Sequence, residues 1–462
     1  MSTSSASGTL SATDLRCQLD CRVIAPGDDG YDGARVVALG GADSRPALIV
    51  RPSVDADVVR TIALARESGL PLAVRSGGHS AAAHGTVDGG IVLDLRDMNA
   101  VEIDITARTA WAESGLSAGE FTEAAAAHGL AVGFGDTGSV GLGGLTLGGG
   151  VGYLARKHGL TIDSLLAADV VTADGQVLRV DETSHPDLFW AIRGGGGNYG
   201  VVTRFQFRLQ EVDQVVGGLL ILPATPETVA GFIAAAEAAP DELTTIANVM
   251  NCPPMPFVAE ELHGSLVILA NICWSGDPDA AQNVLAQFLE LAEPLANFVQ
   301  QMPYPGMYPP EDPDYRPTAV GRTTFLDTIG LDEATLIVER LQASDARLRV
   351  AQLRVLGGAV ARVPADATAY AHRAKRIMVN VANFYDGPED RVVRAAWVEG
   401  VVAALRQGDD AAYVNFLMDE GPERVRAAYP GATWDRLAEV KATYDPENFF
   451  SRNQNVPPAT EA

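Results

Sequence analysis

The sequence predicts a chain of mixed helices and strands in two interleaved domains. Both chain ends, 1–211 and 408–462, build one domain, and the stretch between them, 212–407, builds the other. Three observations predict this. The 462 residues, 47% of them hydrophobic, suffice for two or three cores. Character changes near Val212, beyond which longer amphipathic helices (226–239, 277–292, 389–406) alternate with strand-like runs. The closing segment KATYDPENFFSRNQNV (441–456) does not look like a solvent-exposed end, so the chain is expected to return to its first domain.

In chain order, Val58, Ile62 and Ala65 recur at helical spacing, and Gly69 with Pro71 closes that helix. LPLAV then reads as a strand feeding RSGGHS (75–80). IVLDL (91–95), AVEIDI (100–105) and TAWAES (109–114) read as further strands, followed by a helix over 118–128 that Gly129 stops. The glycine-dense run GLGGLTLGGGVG (141–152) reads as a loop from which a helix over 153–158 starts. AADVVTADGQVLRV (167–180) is a hairpin turning at Asp174-Gly175. HPDLFWAIR (185–193) is helical, and GGGGNYG leads into the alternating strand VVTRFQFRL. A Pro/Tyr-rich loop at 302–317 carries Tyr304, Met307, Tyr308 and Tyr315, either as a surface connection or as a cover over substrate.

The formal charge of −25 argues against nucleic acid or an anionic membrane surface as partner. No apolar run approaches the roughly 18 residues of a membrane span. The opening MSTSSASGTLSATDLR lacks a basic start and an apolar core, so a cytoplasmic protein is expected. Cys17, Cys21, Cys252 and Cys273 are too few for a disulfide scaffold. Neither they nor the scattered histidines (79, 84, 128, 158, 185, 263, 372) complete a zinc pattern, so no metal is expected.

Three glycine-rich loops in one domain suggest a phosphate-bearing cofactor, because bare backbone amides bind phosphate well. Gly195, Gly197 and Gly200 spell G-x-G-x-x-G, but a helix precedes the match and a strand follows it, the reverse of a Rossmann turn. No G-K-[ST] ending marks a nucleotide-hydrolysing P-loop. In RSGGHS, Gly77 and Gly78 allow positive φ and close ligand approach. Arg75 adds charge, and His79 adds a nucleophilic or coordinating nitrogen, or is incidental to a plain turn.

RSGGHS, VGLGGLTLGGGVGYLARKHGLTIDSL, ADVVTADGQVL, HPDLFWAIRGGGGNYGVVTRF and YDPENFFSRNQN together resemble the vanillyl-alcohol-oxidase/PCMH flavoprotein family, in its berberine-bridge-enzyme-like branch. The similarity runs over 46–211 and returns at 351–373 and 413–456. It implies an α+β fold: a PCMH-type FAD-binding domain made from both chain ends, plus a substrate domain with an antiparallel sheet flanked by helices. It further implies FAD bound covalently through His79 to the flavin 8α-methyl carbon. Cofactor contacts are implied from Arg75, Ser76, Gly77, Gly78, Ser80, Thr137, Gly138, Val140, Gly141, Gly144, Gly148, Gly152, Val202, Asn453 and Asn455. Relatives attached twice use a cysteine where this chain has Thr137, and a hydroxyl is a far weaker nucleophile than a thiolate, so a single bond is expected.

By the same resemblance Val140 stands at the position that gates dioxygen, which favours an oxidase. Tyr413 and Asn415 match a Y-x-N motif beside the flavin, with Tyr413 as base or as positioning hydroxyl. A glutamate used by some relatives falls at Ala365 here, and the neighbouring Asp366 is not expected to replace it. Tyr370, His372 and Arg373 are expected to be structural. The implied reaction is hydride transfer from an alcohol or amine carbon of a small molecule, in keeping with secondary metabolism, then reduction of dioxygen to hydrogen peroxide. A dehydrogenase or oxidative cyclase using another acceptor, and a flavin-binding protein without turnover, are the alternatives.

Overall fold

The strands of the computed structural model, which describes residues 16, 18, 19 and 21–460, form four sheets. Cys17 lies outside the described residues. The first sheet orders Arg22–Ile24, Leu48–Arg51, Ile91–Asp94 and Leu72–Arg75; the last three run parallel and the first is antiparallel to its neighbour. Parallel neighbours need a crossover, and the helix Asp55–Ser68 supplies it. Val58, Ile62 and Ala65 are buried on its inner side, and left-handed Gly69 ends it. The second sheet is antiparallel, in the order Val101–Asp104, Thr109–Glu113, Val201–Arg208, Leu165–Val171, Val177–Asp181. Its last two strands are the expected hairpin, with Gly175 at φ 84° in the turn. A two-stranded ladder joins Gln210–Glu211 to Leu130–Ala131.

The largest sheet is antiparallel and eight-stranded. Gln214–Pro223 pairs on one side with Ala296–Asn297 and Gln300–Pro303. On its other side follow Leu266–Trp274, Leu243–Asn251, Arg349–Val355, Ile377–Phe384 and Ala319–Leu326. Strand alternation gives it two unlike faces. Ala351, Leu353, Val355, Ile377, Val379 and Val381 point into one hydrophobic cluster with residues of the helices Pro226–Ala238, Leu331–Ala343 and Pro388–Leu405. Gln352, Arg354, Asn380 and Ala382 take the opposite face, toward the rest of the molecule. The first of these helices starts where its sequence says: Thr225 accepts a hydrogen bond from Thr228 N at 3.2 Å, and Pro226 occupies the first helical position.

The end of the chain is anchored. The Lys441 ammonium is fully buried, 2.5 Å from Asp445 and within hydrogen-bond distance of the carbonyls of Asn198 and Phe450. Asn198 in turn donates to the carbonyl of Gln454 and accepts from Val456 N. The tail therefore lies against the loop 194–200.

Two local expectations need correction. The run 141–152 contains the helix Leu142–Leu147, because burying Leu142, Leu145 and Leu147 overrides the low helix propensity of its glycines. The helix expected over 153–158 is only Ala155–His158. Tyr413 lies just before a short 3-10 turn, Val414–Phe416. The stretch Gly115-Leu116-Ser117-Ala118-Gly119, which has the letters of a hydrolase nucleophile elbow, is a helix start. Ser117 and Glu120 form a capping box there. Among the described residues no helix is long and apolar enough to cross a membrane, and no cluster of three metal-ligating side chains occurs.

Candidate active site

A cavity of about 480 Å³ opens where these layers meet. Its floor is the RSGGHS turn at the end of Leu72–Arg75, and one wall is the helix Leu142–Leu147 with Val201 and Val202. The facing wall is the helix-free side of the eight-stranded sheet, and the remainder comes from 413–418 and the tail at Phe450 to Gln454.

Glycine here permits backbone-to-backbone contact. A Cβ on Gly77 would stand 2.3 Å from the amide nitrogen of Gly141, so the two loops touch directly. Gly78 has φ 75°. Ser76 donates to the carbonyl of Ser114 at 2.6 Å and accepts from Gly143 N at 3.3 Å, tying the turn to the helix. Arg75 is also internal: its buried guanidinium bonds Asp94 at 2.9 Å and the carbonyl of Ala34 at 2.5 Å. Its charge is neutralised there, and its stem supports Gly78 and Gly85.

Gly144 behaves differently. It alone is exposed within its buried helix, and a Cβ there would meet nothing within 4 Å. Gly197, also in the cavity wall, is open in the same way. Among the described residues, four buried polar atoms on lining residues, Asn453 Oδ1, His84 Nε2, Asn380 Oδ1 and Arg75 Nε, have no hydrogen-bond partner. Bare glycine backbone and unpaired polar edges fit an extended cofactor with a heteroaromatic ring and phosphates, as FAD requires. Burial, with Arg452 adding to it, pushes His84 down to about 4, so it is neutral at pH 7.

His79, half-buried in the lining, is held from outside. Its Nε2 lies 3.1 Å from Ser139 Oγ, whose hydroxyl donates to Glu311 Oε2 at 2.6 Å; Ser139 N donates to Glu311 Oε1 at 3.1 Å. Burial lowers the pKa of the imidazole, against an opposing pull from Glu311. The ring is therefore neutral at pH 7.

Tyr413 is buried, and its hydroxyl accepts from Gly150 N at 3.0 Å and from Asn415 Nδ2 at 2.9 Å. Asn415 is fixed by a second bond, to the carbonyl of Leu145 at 3.0 Å. Burial raises the Tyr413 pKa, although both donors and the Arg354 charge oppose this, so the hydroxyl keeps its proton at pH 7. Arg354 bonds Asp136 at 2.6 Å and the carbonyl of Val151 at 2.9 Å. Asn380 projects from the same sheet face with its Oδ1 buried and unpaired.

The cavity thus brings together Arg75, Ser76, Gly77, Gly78, His79, Ser80, Thr137, Val140, Gly141, Gly144, Val202, Tyr413, Asn415 and Asn453. Four other expected contacts lie outside its lining. Gly138 packs beside Tyr308 and Gly119. Gly148 leaves room for the Asn415 side chain, and Gly152 for the carbonyl of Phe134. Asn455 lines an adjoining cavity of about 460 Å³. The loop 302–317 is packed only over its first part: Tyr304 and Met307 are buried and Tyr308 donates to the carbonyl of Gly135 at 3.1 Å, whereas residues 309–316, Tyr315 among them, are exposed. Asp366 is exposed and remote from the lining. His372 and Arg373 are internal, with Arg373 bidentate to Asp163 at 2.7 and 2.8 Å. Sequence reasoning missed Arg354, Asn380 and Glu311; strand alternation in RVAQLRV was the one available signal, for Arg354.

Residues 46–181 match the FAD binding domain family, and residues 412–457 match the family described as berberine and berberine like. The chain is 32% identical to the FAD-linked oxidoreductase YvdP of Bacillus subtilis, over 96% of this chain and 99% of that one. It is 30% identical to (R)-6-hydroxynicotine oxidase of Paenarthrobacter nicotinovorans, over 97% and 98%. The solved structure of 6-hydroxy-D-nicotine oxidase from Arthrobacter nicotinovorans is similar at a TM-score of 0.84 and 27% identity, covering 96% of this chain and 98% of that one.

Proposed function

The chain belongs to the berberine-bridge-like FAD-linked oxidoreductases and is an FAD-dependent oxidase of small organic molecules, and we propose that its substrate is oxidised at a carbon bearing an amine or an alcohol, the amine being preferred. One observation carries the preference. Among the described residues the cavity lining has no free carboxylate to act as base, because its one carboxylate, Asp136, is paired with Arg354, and burial keeps Tyr413 protonated. An alcohol needs its O–H proton removed as hydride leaves, whereas a neutral amine already offers a lone pair.

In this reading the cofactor supplies a two-electron acceptor that dioxygen regenerates, with Val140 beside the gap dioxygen would use. Gly144, Gly197, Asn453 and the 75–80 turn hold the cofactor, covalently through His79 alone. Tyr413, braced by Gly150 N and Asn415, donates a hydrogen bond to the substrate heteroatom. Asn380 Oδ1 accepts one from a second polar group of the substrate. The cofactor domain is assigned to 1–211 and 408–462, and the substrate domain to 212–407. The eight-stranded sheet, which lies wholly within the second range, supports that division. Buried thiols at Cys252 and Cys273 suit a reducing cytoplasm.

The test is an oxygen-electrode screen of secondary and tertiary amines, aromatic alcohols and sugars, with peroxide measured alongside. Amine-dependent oxygen uptake with one peroxide per dioxygen is expected. Flavin reduction without oxygen uptake would favour a dehydrogenase or cyclase, and turnover of alcohols alone would overturn the amine preference.

A further inference from the structure

His79 is tied to a partner that no motif contains. Glu311 comes from the 302–317 loop, 172 positions away from Ser139 in sequence, and takes both the N–H and the O–H of Ser139. A carboxylate can only accept, so the single hydroxyl proton of Ser139 is directed to Glu311. The Ser139 oxygen is then left as an acceptor toward His79 at 3.1 Å, which requires the proton of the ring to sit on Nε2. Among the described residues Nδ1 makes no hydrogen bond. One nitrogen is therefore protonated and bound to a relay, and the other keeps a free lone pair.

We propose that Ser139 and Glu311 prepare His79 for its own attachment to the flavin, by fixing the tautomer that leaves Nδ1 nucleophilic and by accepting the Nε2 proton as the bond forms. The inference rests on the covalent reading above. In the step, a C–N bond to Nδ1 replaces one C–H bond of the ring methyl. The methyl gives up one proton, and the Nε2 proton passes through Ser139 to Glu311. The two electrons left behind pass to the isoalloxazine ring and from it to dioxygen, which takes up two protons as hydrogen peroxide. Ser139 and Glu311 touch neither the substrate nor the reacting carbon; they are positioning residues.

The experiment follows flavin retained by full-length protein after acid precipitation, as a function of time after FAD is added to protein produced under flavin limitation. Native protein should end with yellow pellets, and His79→Ala with colourless ones. Glu311→Gln and Ser139→Ala should still bind flavin reversibly but attach it roughly 10²-fold more slowly, the scale of a lost proton acceptor. Ser139→Thr, which keeps a hydroxyl, should attach normally, and formate should accelerate attachment in Glu311→Ala. Attachment at the native rate in both Glu311→Gln and Ser139→Ala would overturn the relay while leaving the His79 bond intact. Failure of formate to rescue would reduce Glu311 to a clamp on its loop and would overturn the relay as well. Colourless pellets from native protein would overturn the covalent reading and the relay together.

Discussion

The backbones of Gly77 and Gly141 are in direct contact, so that a Cβ built on Gly141 would stand 2.1 Å from the amide nitrogen of Gly77. That contact joins the loop bearing His79 to the helix Leu142–Leu147, and it separates glycines that close the fold from those that leave space for a ligand. Gly141→Ala should force the loops apart and cost about 3 kcal/mol in chemical denaturation, as overpacking of rigid backbone does. Gly144→Ala should leave the melting temperature of flavin-free protein unchanged or slightly raised, since alanine favours the helix by up to about 1 kcal/mol. Its flavin content should nevertheless fall. Full flavin content in Gly144→Ala would mean that this face of the helix is not the cofactor's bed.

Tyr413→Phe removes a hydroxyl that two N–H groups hold in place. Loss of one neutral hydrogen bond to substrate slows flavin reduction roughly tenfold in stopped flow, with flavin content unchanged. Because the tyrosine works as a phenol, the native rate should show no acid limb assignable to it. A loss of 10³-fold or more would instead identify Tyr413 as the base.

Acid should destabilise the fold partly through His372. The ring is 5% exposed, packs on Phe325 at a centroid distance of 5.0 Å, and is pushed down to about 4 by burial. An unfolded histidine titrates near 6.5, so between about pH 6.5 and 4 the unfolded chain binds the extra proton. The stabilising contribution is complete above about 6.5 and is lost as pH falls toward 4, to about 3 kcal/mol in all. His372→Phe should flatten that part of the stability profile; an unchanged slope would show that the ring does not titrate with unfolding.

Lys441→Met leaves the Asp445 carboxylate buried without its cation. Breaking such a pair costs about 3–5 kcal/mol, which should appear as a lower melting temperature. Because the same ammonium holds the carbonyls of Asn198 and Phe450, flavin should also dissociate more readily from the His79→Ala, Lys441→Met double variant than from His79→Ala alone.

What the sequence reveals follows the range of each interaction. Gly69, the Asp174-Gly175 turn and the helix beginning at Pro226 were legible because local backbone chemistry determines them. The anchoring of the tail was legible from the character of 441–456, which lies against the loop 194–200. The helix Leu142–Leu147 was hidden, since its glycines argue for a loop and only burial of its leucines outweighs them. Arg75 lines the cavity as its motif suggests, but the pairing of its guanidinium with Asp94 could not be read from RSGGHS alone. Arg354 and Asn380 reach the cavity only through the register of an eight-stranded sheet, and Glu311 meets Ser139 only through tertiary packing. Strand alternation in RVAQLRV hints at Arg354; no local pattern encodes the other two.

The most direct measurement is the mass of the peptide containing His79, taken from proteolysed native protein. This peptide should carry one FAD less two hydrogens, and no peptide containing Thr137 but not His79 should be modified. An unmodified His79 peptide recovered alongside free FAD would contradict attachment at His79.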